Sequence, residues 1–363
     1  LSSSHALLTT MTSLKLEVLS CTKMKIEVLD ILIQPDLNIA FLATKQNNII
    51  TFNLNSGKQI GSLFGHLDSV NCLAFDSLRE ILLSGSSDRE IKLWHKETYS
   101  TEVSQNSKEK KKKKNSSKKK SLFSQLSSKM PDGYLLGHEK PILCMLTIPD
   151  SDILISGGRD NKVVFWDLNG RSLTYEQRGL ADHVHSLRHI ENQSFVSLLR
   201  NGTVITWEGF QIMREVTSLT PIKSSVDIFF SEFWFSNCYG DQLWTSSLTP
   251  ERMEPDISVV RVSHQPNVFM LKKDGTLHFV SRTVKYCEKI PLMGLPKGSR
   301  LTTCSFDDKQ EFVFMVTSQN ECLVGKLIRT TETLLFARAL GKIKPLAALS
   351  PSLFRELVQL DYI

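Results

Sequence analysis

Histidine, serine and aspartate recur in this chain at fixed spacing, and these are the side chains of nucleophilic catalysis. His66 is followed by Ser84 and Asp88, and His138 by Ser156 and Asp160. In both sets the His-to-Asp step is 22 positions, and a tryptophan closes the set 6 positions later, at Trp94 and Trp166. A His–Asp pair with a nearby serine has the composition of an acyl-transfer triad. A working triad also needs its serine on a strained elbow, close to oxyanion donors. Ser84 and Ser156 instead end short apolar runs, Ile81-Leu82-Leu83 and Ile153-Leu154-Ile155, that read as strand interiors. The two sets are therefore expected to be structural, and no catalytic residue is assigned.

Metal chemistry is the next possibility. His183 and His185, with Asp182 before them and His189 after, form an H-x-H pattern that on a strand turns both rings to one face. Zinc accepts such nitrogens. No acidic or sulfur partner stands at a telling distance, so no metal site is expected. The seven cysteines (Cys21, Cys72, Cys144, Cys238, Cys287, Cys304 and Cys322) are odd in number, widely spaced and free of C-x-x-C. They fit neither a disulfide framework nor a zinc cluster, which points to the reducing cytosol or nucleus. Phosphate-cradling and dinucleotide motifs are missing, so neither a cofactor nor a small-molecule substrate is expected.

The residues that position these sets repeat as well. Weaker copies of the turn-plus-aromatic pattern run from Asn48 to Phe52, Asn201 to Trp207, Asp241 to Trp244 and Asp274 to Phe279. Another runs from Asn320 to Leu323 and Val324, which makes seven units in all. Within a unit the apolar runs are four to six residues long and bounded by turn formers, as in Val70–Phe75 and Ile91–Trp94. Such a unit cannot bury both faces alone. Stacking its neighbours around an axis can.

The two strong units, with Gly65-His66, Asp88 and Trp94 and then Gly137-His138, Asp160 and Trp166-Asp167, resemble WD40 repeats. The resemblance implies an all-β, seven-bladed β-propeller. It also implies a hydrogen-bonded relay inside a blade, through His66, Ser84, Asp88 and Trp94 and again through His138, Ser156, Asp160 and Trp166. A buried carboxylate needs donors and a buried indole N–H needs an acceptor, and the relay supplies both. Cys72 and Cys144, equivalent by spacing, fall on inner strands as small buried hydrophobes. The second unit departs from the pattern by ending Trp94-His95. Asp182-His183 is taken as the worn Gly-His turn of the fourth unit, and units five to seven have lost the histidine. Leu14–Val18 is the preferred strand to close the ring, with Leu334–Phe336 the competing choice.

Charge separates the body of the chain from one segment. The net charge of the 363 residues is +6, yet nine lysines and one glutamate between Lys108 and Lys120 contribute +8, which leaves −2 for the rest. A broad basic face for nucleic acid is therefore not indicated. The lysine run cannot bury enough apolar surface to fold alone. Residues 100–132 are assigned to a disordered insertion between the third and fourth strands of the second unit. The remaining boundaries are a disordered leader over 1–12, a propeller over 13–330 and an extension over 331–363. That extension carries a closing strand and a short helix. Ser350 and Pro351 suit the N-cap and first turn of the helix, and Leu353, Phe354, Leu357 and Leu360 share its apolar face. That face packs on the propeller's own flank or is offered to a partner's groove. The Ser/Thr-rich start has no secretory pattern. No apolar run is long enough for a membrane-spanning helix, and no membrane partner is expected.

The function implied is a non-enzymatic interaction scaffold or adaptor, a WD-repeat subunit of a multiprotein complex in cytoplasm or nucleus. Loops on rigid blades carry recognition. Asp68, Arg89, Glu139, Lys140, Arg159 and Arg200 would rim one face, with Leu353, Phe354 and Leu357 as a second contact. The alternative is an RNA-associated accessory subunit, in RNA modification or ribosome biogenesis, with Lys108–Lys120 as an electrostatic arm. Phe123 is nearly alone beside the lysines, so base stacking has little support.

Overall fold

The computed structural model describes residues 6–24, 26–99, 130–217, 227–229, 232–237, 240–244, 250–252, 257–262, 267–272, 274–281, 286–306 and 312–337. The lysine run and the expected tail helix, with Leu353, Phe354 and Leu357, lie outside the described residues. Regular structure among them is strand, apart from a 3-10 turn at Pro35–Leu37 and one helical turn at Lys96–Tyr99. Among the described residues the short apolar runs pair into seven sheets, six of four strands and one of five. In chain order the four-stranded sheets fall within 28–64, 70–136, 142–177, 184–217, 227–252 and 257–289. Each is a meander whose strands pair antiparallel with their sequence neighbours. The four-residue strand Gly133–Leu136, on the far side of the insertion, is the fourth strand of the second sheet.

The first strand of each sheet touches the first strand of the next. The strand Leu301–Phe306 of the last sheet touches Val28–Gln34 of the first, so the contacts run in a closed circle. Apolar side chains fill the spaces between adjacent sheets. Leu83, Leu93 and Trp166 share one cluster across the second and third sheets, and Phe165, Phe195 and Trp207 share another across the third and fourth. One sheet alone could not bury both faces, and this arrangement does so.

The last sheet is closed from both termini at once. Ala6–Lys23 pairs antiparallel with Glu321–Ala337, from Lys23 opposite Glu321 to Ala6 opposite Ala337. Leu14–Val18 and Leu334–Phe336 were competing choices for closure, and both lie in this one ladder. The strand begins at Ala6, inside the stretch expected to be a disordered leader, because the residues from Ala6 to Val18 each face a partner in Glu321–Ala337. That partner also runs across the 330/331 boundary. The closing strand meets the first sheet at Gly57, where Thr22 Oγ1 donates to the Gly57 carbonyl at 3.3 Å. Gly57 has φ +60 and a Cβ there would stand 1.5 Å from Ser20 Oγ, so only glycine fits this seam.

Candidate functional site

In the second sheet the turn 65–69 and the turn 86–90 lie side by side, joined by the Ser87 N–H donating to the Ser69 carbonyl at 2.9 Å. His66 leaves the first turn pointing into the sheet. Its Nδ1 is 2.7 Å from Asp88 Oδ2 and its Nε2 is 2.8 Å from Ser84 Oγ. The Trp94 indole N–H donates to the same Oγ at 2.9 Å. One assignment satisfies every atom: the carboxylate accepts from Nδ1–H, Nε2 accepts the serine O–H, and Oγ accepts the indole. The third sheet repeats the contacts among the four side chains, although Asp160 Oδ1 has no partner there. His138 Nδ1 is 2.9 Å from Asp160 Oδ2, His138 Nε2 is 2.7 Å from Ser156 Oγ, and Trp166 Nε1 donates to that Oγ at 2.8 Å.

Both serines are fully buried, and each hydroxyl donates to the imidazole and accepts from the indole. A substrate cannot reach them, so the chemistry of this constellation is structural. Burial pushes the Asp88 carboxyl up. The hydrogen bond from His66 and the N–H groups of Leu67 and Glu90 outweigh it and hold the carboxyl at about 2. Asp160 is lowered against the same burial penalty by His138 and the Glu139 N–H. Cys72 and Cys144 lie on the first strands of these sheets, where burial pushes both thiols up, Cys144 to about 12. They are inert hydrophobes rather than nucleophiles.

The fourth sheet corrects one expectation. Its first strand carries a bulge at Val184/Ser186, matching Val70/Cys72 and Ile142/Cys144. Counting back from the bulge, the position of His66 and His138 is Leu180, after Gly179, and not His183. Leu180 is buried in the cluster that holds Trp207. Asn201 stands where Asp88 and Asp160 stand and caps its turn by accepting the Thr203 N–H at 3.0 Å. Ser197 still accepts the Trp207 indole at 2.8 Å. His183 bonds across to the third sheet, with Nδ1 2.9 Å from Asn161 Oδ1. Burial, then Arg188 and Arg200, lowers His185, surroundings that disfavour a cation. No trio of metal-ligating side chains is assembled among the described residues.

The six charged residues expected to rim one face are all exposed. The turns bearing them are bonded in pairs, with Arg159 N–H to the Pro141 carbonyl and Arg200 N–H to the His183 carbonyl, each at 2.9 Å. Asp68, Arg89, Glu139, Lys140, Arg159 and Arg200 thus share one end of the second to fourth sheets. Glu139 is not free there, since Lys162 Nζ donates to it at 2.5 Å. Leu67, 84% exposed, stands among these charges. Its mark in the sequence is an apolar residue next to His66 in an otherwise polar turn.

Other structural residues were missed as well. Where the second unit has Trp94-His95, the missing aspartate is replaced from across the insertion. Asp132 Oδ2 accepts the His95 N–H at 2.7 Å and the Thr98 hydroxyl at 2.8 Å, which pins the two ends of residues 100–129 together. In the third sheet Asp167 itself accepts the Asn169 and Gly170 N–H groups. Tyr99 is buried edge-on against Phe41, with its hydroxyl donating to the Glu80 carbonyl at 2.6 Å. In the last sheet a buried carboxylate, Glu321, accepts from Ser299 at 2.6 Å and Thr317 at 3.0 Å.

Stacked four-stranded antiparallel sheets, two of them pinned by a His–Ser–Asp–Trp relay, define an all-β repeat protein. The family model described as WD domain, G-beta repeat matches residues 57–95 and 131–167, and the chain carries WD40 repeats there. CCR4-associated factor 4 of Saccharomyces cerevisiae is 28% identical over 166 residues, 44% of this chain and 22% of that protein. Nuclear distribution protein nudF of Aspergillus flavus is 30% identical over 122 residues, 30% of this chain and 27% of that protein. The chain thus aligns with about a quarter or less of the length of these relatives. A solved structure, that of U3-55K, superposes with a TM-score of 0.65 over 86% of this chain and 98% of its own, at 17% identity. That likeness concerns the fold alone.

Proposed function

We propose that this chain is a seven-bladed WD40-type β-propeller acting as a non-enzymatic scaffold or adaptor, a subunit of a multiprotein complex in cytoplasm or nucleus. Its body runs from the strand that begins at Ala6 to the strand that ends at Ala337. One observation carries the reading: the His–Ser–Asp sets that could have done chemistry are sealed in the sheets, while charged side chains on paired turns are exposed at one end. Exposed charges on rigid turns orient a partner and suit a polar interface rim. The WD-domain model matches two segments of this chain, and the name of one relative denotes association with CCR4.

Capture from native extract tests this. The triple variant Arg89→Glu, Arg159→Glu, Arg200→Glu should lose proteins recovered by the unaltered chain while keeping its thermal midpoint. Recovery of the same proteins by both would remove the rim from the reading. The +8 segment supports a second reading, an RNA-associated subunit. Binding to total RNA that falls steeply with salt and disappears when residues 104–120 are deleted would favour it.

A further inference from the structure

The strands Val28–Gln34, Val70–Asp76 and Ile142–Thr147 bound a cavity of about 460 Å³. It lies at the end opposite the rim turns, since its lining reaches the turns after Asp76 and Thr147, where those strands finish. Leu32, Leu73 and Met145 line it, and Leu78, 57% exposed, stands at its mouth. Clefts of roughly 300–1,000 Å³ commonly receive a ligand or an anchoring side chain. The lining is acidic: the buried Asp76 and the exposed Asp150 belong to it, and Asp152 lies in the same turn as Asp150. One guanidinium, Arg79, answers these three carboxylates, donating to Asp76 at 2.7 Å and also to Asp152. Asp150 is exposed and stands outside that network.

An apolar hollow under unbalanced negative charge disfavours phosphate and favours a cationic polypeptide. We propose that this cavity docks a basic segment of a partner protein, with a Leu or Phe side chain seated among Leu32, Leu73 and Met145 and flanking Lys or Arg residues facing Asp150 and Asp152. The proposal goes beyond the scaffold reading and does not depend on the rim at the other end.

The test is fluorescence anisotropy of the full chain with a labelled hexapeptide, Lys-Lys-Leu-Phe-Lys-Lys. Saturable binding is expected. Asp150→Asn, which suits the left-handed backbone at φ 54, should weaken it about fivefold at low ionic strength and little in high salt. Leu78→Ser should weaken it about tenfold at any salt. Thr174→Ala, on an exposed outer strand, should change nothing. Leu78 and Asp150 are exposed, so both variants should keep the thermal midpoint of the parent. Equal affinity in both cavity variants, or equal binding of Ser-Ser-Leu-Phe-Ser-Ser, would overturn the proposal. So would binding that appears only after residues 100–129 are deleted, which would make the chain's own segment the occupant.

Discussion

The second sheet buries a histidine against a carboxylate, whereas the fourth buries a leucine and keeps an asparagine in its turn. Strand order, bulge and the serine–indole bond are the same in both. The two sheets therefore separate what the fold requires from what the relay adds. A buried indole N–H cannot go without an acceptor, so the serine stays in each. The imidazole and the carboxylate satisfy each other, and they are absent together. A lone member of such a pair would leave a buried polar group uncompensated, which costs more than losing both. The first sheet goes further, with Met24 and Phe52 buried in one apolar cluster.

The largest effect is expected from breaking the pair on one side only. Asp88→Ala orphans His66 Nδ1 and the Leu67 and Glu90 N–H groups, and should cost about 3 kcal/mol. Asn201→Ala in the fourth sheet loses one acceptor in a half-buried turn and should cost about 1 kcal/mol. Urea midpoints at constant m-value measure both. Equal costs would mean that the relay is no more than a turn cap.

Acid should separate the sheets next. The Asp88 carboxyl sits at about 2, below its ordinary 3.8, so the folded state binds its proton less readily than the unfolded chain. Its contribution is full above about pH 5 and is lost as pH falls through about 4 towards about 2. With allowance for solvent at the turn this amounts to roughly 1 kcal/mol. Asp160 adds a loss of the same sign. Asp88→Asn should flatten the pH dependence of the urea midpoint between pH 6 and 3. An unchanged slope would locate the acid sensitivity elsewhere.

Much of this was legible in the residues. The seven turn-plus-aromatic units each fall on the third strand of a separate sheet, including Asn48–Asn53 with Phe52 and Leu277–Ser281 with Phe279. A tight turn and a following apolar strand leave a local mark that tertiary context did not override. Leu180 was hidden because the fourth unit is one residue shorter between this position and its turn, and His183 offered a chemically attractive decoy. Asp132 was hidden by distance, being 37 residues from the His95 N–H it binds. Glu321 left no mark at all, since a glutamate at a strand start reads as a surface residue until Ser299 and Thr317 are brought to it.

The smallest net effect is expected from rebuilding the relay where it is missing. Leu180→His alone places an imidazole beside Ser197 with no carboxylate to take its second nitrogen, and should cost about 2 kcal/mol. Asn201→Asp alone exchanges a neutral cap for a charged one at a half-buried turn. Together they recreate the His–Asp pair over a serine–tryptophan bond that already exists. The double variant should then lie within about 1 kcal/mol of the parent, with a favourable coupling of roughly 1–2 kcal/mol in the cycle. A coupling near zero would show that the spacing, shorter by one residue, keeps the two groups apart. The fourth sheet would then have lost its relay through backbone length before it lost the side chains.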